Sequence, residues 1–370
     1  MEKIIYLLGA GFSAPLDIPV MRDFWFKSLD LYLKQAIRPP HFERIFHTVA
    51  NISQILKYYE ADVFNIEEIL SILEMQKFTQ GNSDIEDFRK YIADTIRWAT
   101  PIPKINCDEF LPTSQSDSFP EAIFGDIWSP YGAFACNLLN LQVQIFARRI
   151  DKTNMRCSRS KDSDAIYSII TLNYDLIFEI VMKLLTERIT FEPEISFFTE
   201  VENDSSVRED KTYLAKLHGS IDPLTLTLPT WNKSSDPEIQ PAWRLAGKLL
   251  ENATQLRILG YSLPLNDNHV RYLLKSSTLK ANRLKNIDII CLDDETGTVE
   301  QRYHEFIKFR DHNFYKIDIN DYLKEILKIF KHDQRKAIDD RTPVTISFQS
   351  LEKAHASIIE AFKKRETAGG

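Results

Sequence analysis

The chain has 370 residues, of which 44% are hydrophobic, enough for a large core and for two structural units. Its net charge of −7 argues against a protein that coats nucleic acid non-specifically. No apolar run reaches the roughly 18 residues of a membrane-spanning helix, and the first residues lack the basic region and cleavage site of a signal peptide. We therefore expect a cytoplasmic protein without a membrane partner.

The chain begins with a strand and a glycine turn. Residues 4–8 are apolar and run directly into GAGFSA at residues 9–14. This spacing fits G-x-G-x-x-A, in which the glycines allow a tight turn and close approach to a ligand. Backbone N–H groups at the start of the following helix would then face an anion such as a pyrophosphate. Many turns of this kind bind nothing, so the motif alone is weak.

Residues 36–164 predict a mainly helical insertion. In FNIEEILSILEMQKF the residues Ile66, Ile69, Leu70 and Leu73 recur at the spacing of one helix face, which predicts an amphipathic helix. Residues 140–150 show a similar pattern and predict a second helix. Between them, residues 99–131 are rich in proline, serine and aspartate, which favours a long loop.

From residue 165 onward, strands and helices alternate. Four apolar runs each end in polar residues: AIYSIITLNYD, TYLAKLHGS, QLRILGYSLP and NIDIICLDDE. The alternation predicts an α/β fold with a Rossmann-like, doubly wound, mainly parallel sheet. We expect one domain from residues 1–35 and 165–320, a helical insertion at 36–164 and a short helical tail at 321–370. Because ligands bind beyond the carboxyl ends of such strands, the polar residues should converge on one crevice.

Three residues in this crevice could carry chemistry. Asn173 and Asp175 follow the second strand and could hold a ribose, a nicotinamide carboxamide or a water, although Asp175 could equally cap the next helix. His218 closes an apolar strand, where a histidine is more often structural. In a ligand crevice, however, a side chain that titrates near neutrality suits proton transfer.

Two later strand ends supply weaker candidates. Gly260, Ser262 and Asp267 offer a close-approach glycine, a hydroxyl and a carboxylate, or they form a plain turn between strand and helix. Asp293 ends its strand about where an adenosine ribose or base lies in a doubly wound sheet.

Cysteine spacing and one charge cluster complete the composition. The four cysteines are scattered without a C-x-x-C pair, so we expect neither a metal nor a disulfide framework: they are Cys107, Cys136, Cys157 and Cys291. A basic stretch at 148–161 is more often a solvated loop than a binding patch, and direct nucleic-acid binding is not expected.

Six segments, taken in order, resemble the sirtuin-like superfamily, in the branch of NAD hydrolases found in bacterial anti-phage defence. They are GAGFSAPLDIP, TLNYD, KLHGS, LPTWNK at 228–233, GYSLPLND and the strand before Asp293. The resemblance covers residues 3–20 and 165–295 and hardly reaches the last part of the chain. It implies a Rossmann-like domain that binds NAD and cleaves its nicotinamide–ribose bond, giving nicotinamide and ADP-ribose.

The resemblance also implies a role for each matching residue. Asn173 and Asp175 would position the nicotinamide and the attacking group, and His218 would activate a ribose hydroxyl or a water. The cofactor-binding positions would be Gly9, Ala10, Gly11, Phe12, Ser13, Gly260, Ser262, Asp267 and Asp293.

Three departures shape the expected activity. The paired cysteines of the sirtuin zinc module are absent, which favours NAD hydrolysis over protein deacylation. Asp17 stands where the turn usually has glycine. An acid is expected about 20 residues beyond the glycine turn, but Asp30 lies in a helical stretch.

The alternatives are an NAD-dependent protein deacylase and a non-catalytic subunit that binds NAD or ADP-ribose. By analogy with relatives, we expect a homo-oligomer and a DNA-translocating ATPase partner, with residues 321–370 serving assembly or docking.

Overall fold

A computed structural model describes residues 1–369 except 63, 82–83, 105–118, 147–154, 161–162, 192–194, 201–206, 227–236, 266, 280–282, 295 and 338–343. Its strands are β1 (Glu2–Leu8), β2 (Leu141–Ile145), β3 (Met155–Arg159), β4 (Ala165–Thr171), β5 (Thr190–Phe191), β6 (Phe197–Phe198), β7 (Thr212–Lys216), β8 (Gln255–Leu259), β9 (Asn286–Ile290), β10 (His312–Tyr315) and β11 (Val344–Ser347). Its helices are α1 (Phe24–Lys34), α2 (Pro40–Ile52), α3 (Ile66–Gln80), α4 (Ile85–Ala99), α5 (Phe119–Phe124), α6 (Ser129–Leu138), α7 (Ile177–Arg188), α8 (Gln240–Glu251), α9 (Asn268–Thr278), α10 (Thr298–Phe306), α11 (Ile319–Ala337) and α12 (Leu351–Gly369).

A seven-stranded sheet in the order β10-β9-β8-β1-β4-β7-β6 organises the fold. Every neighbouring pair is parallel. Along β1, Ile4 and Tyr6 belong to one buried cluster while Ile5 and Leu7 belong to another, so both faces of the sheet are covered. The predicted α/β, doubly wound class is therefore confirmed.

The strand order places the switch point of the sheet between β1 and β8. From β1 the chain adds β4 and β7 on one side, and it then returns to add β8, β9 and β10 on the other. In open parallel sheets, ligands bind at the point where this order reverses. The turns that follow β1 and β8 are therefore the place to examine first.

A second, four-stranded sheet has the order β11-β2-β3-β5. It corrects the helix predicted over 140–150, because residues 141–145 form β2. In LQVQI the side chains of Leu141, Val143 and Ile145 are buried while the glutamines alternate outward, which is the period of a strand. Over so short a segment, this alternation is hard to distinguish from the apolar face of a helix.

The predicted loop at 99–131 is also partly wrong. Two helices, α5 and α6, begin within it, with Pro120 and Pro130 in their first turns. Proline is tolerated there because the first N–H groups of a helix have no partner within the helix. Cys107 lies outside the described residues.

The C-terminal segment packs onto the main sheet through a buried polar network. The Arg257 guanidinium on β8 binds both carboxylate oxygens of Glu352 on α12, at 2.6 and 2.8 Å. His355 lies 3.1 Å from Asp288 of β9. The role of residues 321–370 in assembly, like the three domain boundaries, stays a prediction. Among the described helices, none is long and apolar enough to cross a membrane.

Candidate functional site

The glycine turn after β1 packs directly against the turn after β8. The Gly9 amide donates to the Leu259 carbonyl at 3.0 Å, and the Gly11 amide donates to the Gly260 carbonyl at 2.9 Å. A Cβ on Gly9 would lie 2.6 Å from the Tyr261 Cα, and one on Gly11 would lie 2.8 Å from the Gly260 Cα. Contact between two backbones at the switch point therefore requires these glycines, whatever ligand binds nearby.

The turn itself differs from the predicted strand–turn–helix. Two short 3₁₀ segments, Ala10–Phe12 and Ala14–Leu16, follow β1, and α1 begins only at Phe24. The amides of Phe12 and Ser13 donate to carbonyls within the turn, at 2.9 and 3.1 Å. These two N–H groups, which the motif predicts to face a phosphate, therefore already have hydrogen-bond partners within the turn.

Asp17 explains one departure from the expected sequence pattern. It adopts a φ of 63°, in the left-handed region. Aspartate tolerates this region better than most residues, so it can occupy the position where glycine is expected. The Lys27 ammonium contacts its carboxylate.

Phe12 contributes its ring to the core and not to the crevice. The ring is buried, stacks on Phe178 at 6.0 Å and meets the edge of Tyr131 at 5.4 Å. The Tyr131 hydroxyl also donates to the Phe12 carbonyl at 2.8 Å. Both backbone groups of Phe12 thus have partners in the fold, and its predicted contact with a cofactor stays a prediction, while Ala10 in the same turn is exposed.

Ser13 joins the first turn to the end of β4. Its hydroxyl donates to Asp175 Oδ2 at 2.5 Å and accepts from Asn173 Nδ2 at 2.8 Å. Asn173 Nδ2 also donates to the Gly9 carbonyl at 2.9 Å. Both amide hydrogens of Asn173 are therefore used, which leaves its Oδ1 as an acceptor. The structure brings together three of the candidates that the sequence placed at one crevice.

Asp175 is a buried carboxyl with a raised pKa. Burial is the main cause, because it penalises the charged form, and the Ser13 hydrogen bond and the Lys216 ammonium offset it only in part. Asp175 Oδ1 also accepts from the Ile177 amide at 3.2 Å. Asp175 therefore helps to hold the start of α7 and also lies among the candidate site residues.

His218 lies just beyond β7 at the same edge of the sheet. It is buried, and its ring centroid is 6.0 Å from that of Tyr174. Gly219 follows with a φ of 81° and leaves no room for a side chain beside the Thr225 carbonyl. The sequence motifs did not single out Tyr174 as a neighbour of His218, although it lies between Asn173 and Asp175 in the NYD segment.

The candidates after β8 and β9 have partners within the fold. Asp267 accepts from the Tyr261 hydroxyl at 2.7 Å and caps α9. Asp293 accepts from the Val299 amide at 2.8 Å and so holds the start of α10. Their predicted contacts with a cofactor stay predictions, and LPTWNK lies outside the described residues.

Arg302 is a second residue that the sequence did not single out. It is half-buried on α10, and its guanidinium donates to the Ser262 carbonyl at 3.0 Å. It therefore places a positive charge beside the turn after β8. No motif or spacing in the sequence marks it.

The matching family model covers most of these residues. Residues 167–311 match the model described as SIR2-like domain. This stretch is therefore similar to SIR2-like domains. It contains Asn173, Asp175 and His218 as well as the turn at Gly260, whereas the glycine turn after β1 lies outside it.

Comparisons over the whole chain are more distant. No curated protein matches the chain in sequence. One similar solved structure is Sir2 with the inhibitor EX-527, 2'-O-acetyl-ADP-ribose and a deacetylated p53 peptide, at 11% identity and a TM-score of 0.31. Another is Sir2 with a p53 peptide and NAD+, at 12% identity and a TM-score of 0.32. Each alignment covers 88% of this chain and 92% of the other. These values carry no residue roles across.

The sirtuin-like stretch shows no metal cluster within the part of the chain that the structure describes. Cys136, Cys157 and Cys291 are buried thiols. Burial raises the pKa of the Cys291 thiol to about 12, which keeps it protonated.

Proposed function

We propose that this chain is an NAD+ hydrolase that cleaves the nicotinamide–ribose bond, yielding nicotinamide and ADP-ribose, and depletes NAD in anti-phage defence. The observation that carries the proposal is the Ser13 hydroxyl bonded at once to Asn173 and Asp175. This contact makes the glycine turn and the sirtuin-like motif one unit, and His218 follows the adjacent strand β7.

The residue types suit this reaction. Departure of nicotinamide passes through an oxocarbenium-like centre, as in glycoside cleavage, and the cationic ring is already a good leaving group. The protein must hold the ring, exclude bulk water and place one nucleophile. Asn173 Oδ1 is available to orient a water or a carboxamide, and His218 would accept the proton as the water attacks.

The switch point suits a dinucleotide in outline. Ala10 is exposed where the turns after β1 and β8 meet, so the pyrophosphate of NAD would have access there. Arg302, bonded to the Ser262 carbonyl, would supply positive charge for a phosphate. The amides of several turn residues already donate to carbonyls of the chain. We therefore expect the N–H groups of residues 11–13 to contribute less to phosphate binding than the glycine motif implies.

The test is to incubate the purified chain with NAD+ and quantify nicotinamide and ADP-ribose by chromatography. We expect Asn173→Ala and His218→Ala to lower the rate at least about 100-fold while thermal unfolding shows both still folded. His47→Ala, on the exposed side of α2, is the matched control and should keep full activity.

Other results would select the alternatives. If nicotinamide is released only when an acetylated peptide is added, the chain is a deacylase. If NAD+ binds tightly without turnover, alone and with the product of the neighbouring gene, the chain is a binding subunit. Either result would overturn the proposal.

A further inference from the structure

Helix α1 is apolar on two opposite faces. Its inner face, with Phe24, Ser28 and Tyr32, is buried. Tyr32 stacks on Phe42 of α2 at 5.2 Å, and Ser28 bonds to the hydroxyl of Tyr91 on α4. A surface helix with one buried face normally carries polar residues on the other.

The outer face of α1 carries large apolar side chains instead. Phe26, Leu29 and Leu33 are 63%, 37% and 56% exposed, and they follow one another at the spacing of a helical stripe. Phe64 extends the stripe, because its ring lies 5.7 Å from that of Phe26 and is itself exposed. Ile37, just beyond the helix, is also exposed. Apolar surface arranged in one stripe marks an interaction site.

We propose that the outer face of α1 binds the same face of a second copy of this chain, with the two helices antiparallel about a two-fold axis that crosses the outer face at the level of residues 31–32. About this axis Leu29 of each copy faces Leu33 of the other. A two-fold interface requires such a self-complementary patch.

The charges beside the stripe obey the same symmetry. Asp30 and Lys34 are both exposed and form an ion pair within the helix at 2.6 Å. Across the proposed axis, Asp30 of one copy meets Lys34 of the other, twice per dimer. The stripe is thus complementary to itself in charge as well as in apolar shape, and this match identifies a second copy as the occupant.

The interface should be weak to moderate. One helix pair buries less than the roughly 800 Å² per partner of a standard interface. We therefore expect a reversible dimer with a Kd in the micromolar range, visible by sedimentation velocity over about 1 to 200 µM full-length protein.

A charge exchange tests the arrangement. Asp30→Lys alone sets lysine against Lys34 across the axis, and Lys34→Asp alone sets aspartate against Asp30, so each should raise the Kd about tenfold. In an equal mixture of the two variants, both cross-axis pairs attract again. The mixture should therefore recover a Kd within about twofold of the wild type.

Leu29→Asp should abolish the dimer, whereas Leu279→Asp, at an exposed position after α9, should leave it unchanged. Thermal unfolding of each variant shows that the monomer remains folded. The proposal is wrong if the wild type stays monomeric over the whole range, if Leu29→Asp still dimerises, or if the mixture associates no better than its components.

Discussion

Gly260 is the residue on which the two turns of the site depend most. Its φ is +62°, and a Cβ there would lie 2.5 Å from the Phe12 backbone nitrogen. Alanine at this position would have to adopt a left-handed backbone and would also clash with neighbouring backbone atoms. We therefore expect Gly260→Ala to lower the free energy of unfolding by about 2–4 kcal/mol. Urea denaturation measures the loss.

Gly247 provides the matched control for this substitution. It lies inside α8, and a Cβ there would meet no atom within 4 Å. Gly247→Ala should therefore raise stability by about 0.5–1 kcal/mol through helix propensity. Equal effects at the two positions would show that turn packing does not require Gly260.

Asp175 should make stability depend on pH in an identifiable direction. Its pKa is raised by burial, against the smaller effects of Ser13 and Lys216. A carboxyl with a folded pKa above its unfolded value stabilises the protein at low pH, and this contribution is lost as the pH rises through the folded pKa. Asp175→Asn removes the titration. Its melting temperature should therefore fall less than that of the wild type as the pH rises from about 4 to 8.

Asp294 gives the opposite sign and so serves as the control. Hydrogen bonds from Thr298 and Thr296 lower its pKa to about 2. Its contribution is present above the unfolded pKa and is lost as the pH falls through the folded one. Asp294→Asn should thus be less stable than the wild type at neutral pH and approach it in acid. Parallel melting curves for both variants and the wild type would contradict this assignment.

At the level of elements, the contact between α12 and the sheet should be a strong local determinant of stability. Arg257 is 2% exposed, whereas Glu352, its bidentate partner, is 43% exposed. Glu352→Gln leaves a buried cation without its counter-charge. Water reaches the glutamate side, so we expect a loss near the lower end for such pairs, about 2–3 kcal/mol, in chemical denaturation.

The control for α12 is a glutamate on the same helix that pairs in water. Glu360 bonds to Lys364 with both side chains exposed. Glu360→Gln should leave the stability close to that of the wild type, because solvent screens this pair. If Glu352→Gln had an equally small effect, solvent and not Glu352 would be stabilising Arg257.

Elements with a long apolar run were predictable, and those defined by distant partners were not. β4, β7, β8 and β9 follow from their apolar residues and polar ends, because strands covered on both faces need continuous apolar sequence. β2 was missed because five residues carry too little periodicity, and its partner β11 lies two hundred residues away in the chain.

The same limit applied to the site. Convergence of Ser13, Asn173 and Asp175 followed from strand ends and topology alone. The capping role of Asp293 and the position of Arg302 depend on how α10 packs, which no local pattern encodes.

For the whole molecule, the second sheet ties together segments that the sequence divides into separate domains. β2 and β3 come from the insertion, β5 from the region after β4, and β11 from the C-terminal segment. One buried cluster likewise includes Ile4 of β1, Phe42 of α2 and Phe348 near α12. Within the residues that the structure describes, the second sheet and this cluster thus join the insertion and the C-terminal segment to the first strand.

We therefore expect the full chain to unfold in one cooperative transition, even though its segments alternate along the sequence. Calorimetry should give equal calorimetric and van't Hoff enthalpies. Pulsed hydrogen exchange at the denaturant midpoint should find the same unfolded fraction in peptides from α2, β4 and α12. If α2 lost protection at lower denaturant than β4, the insertion would be an independent unit, and the shared cluster around Ile4 and Phe42 would contribute little to cohesion.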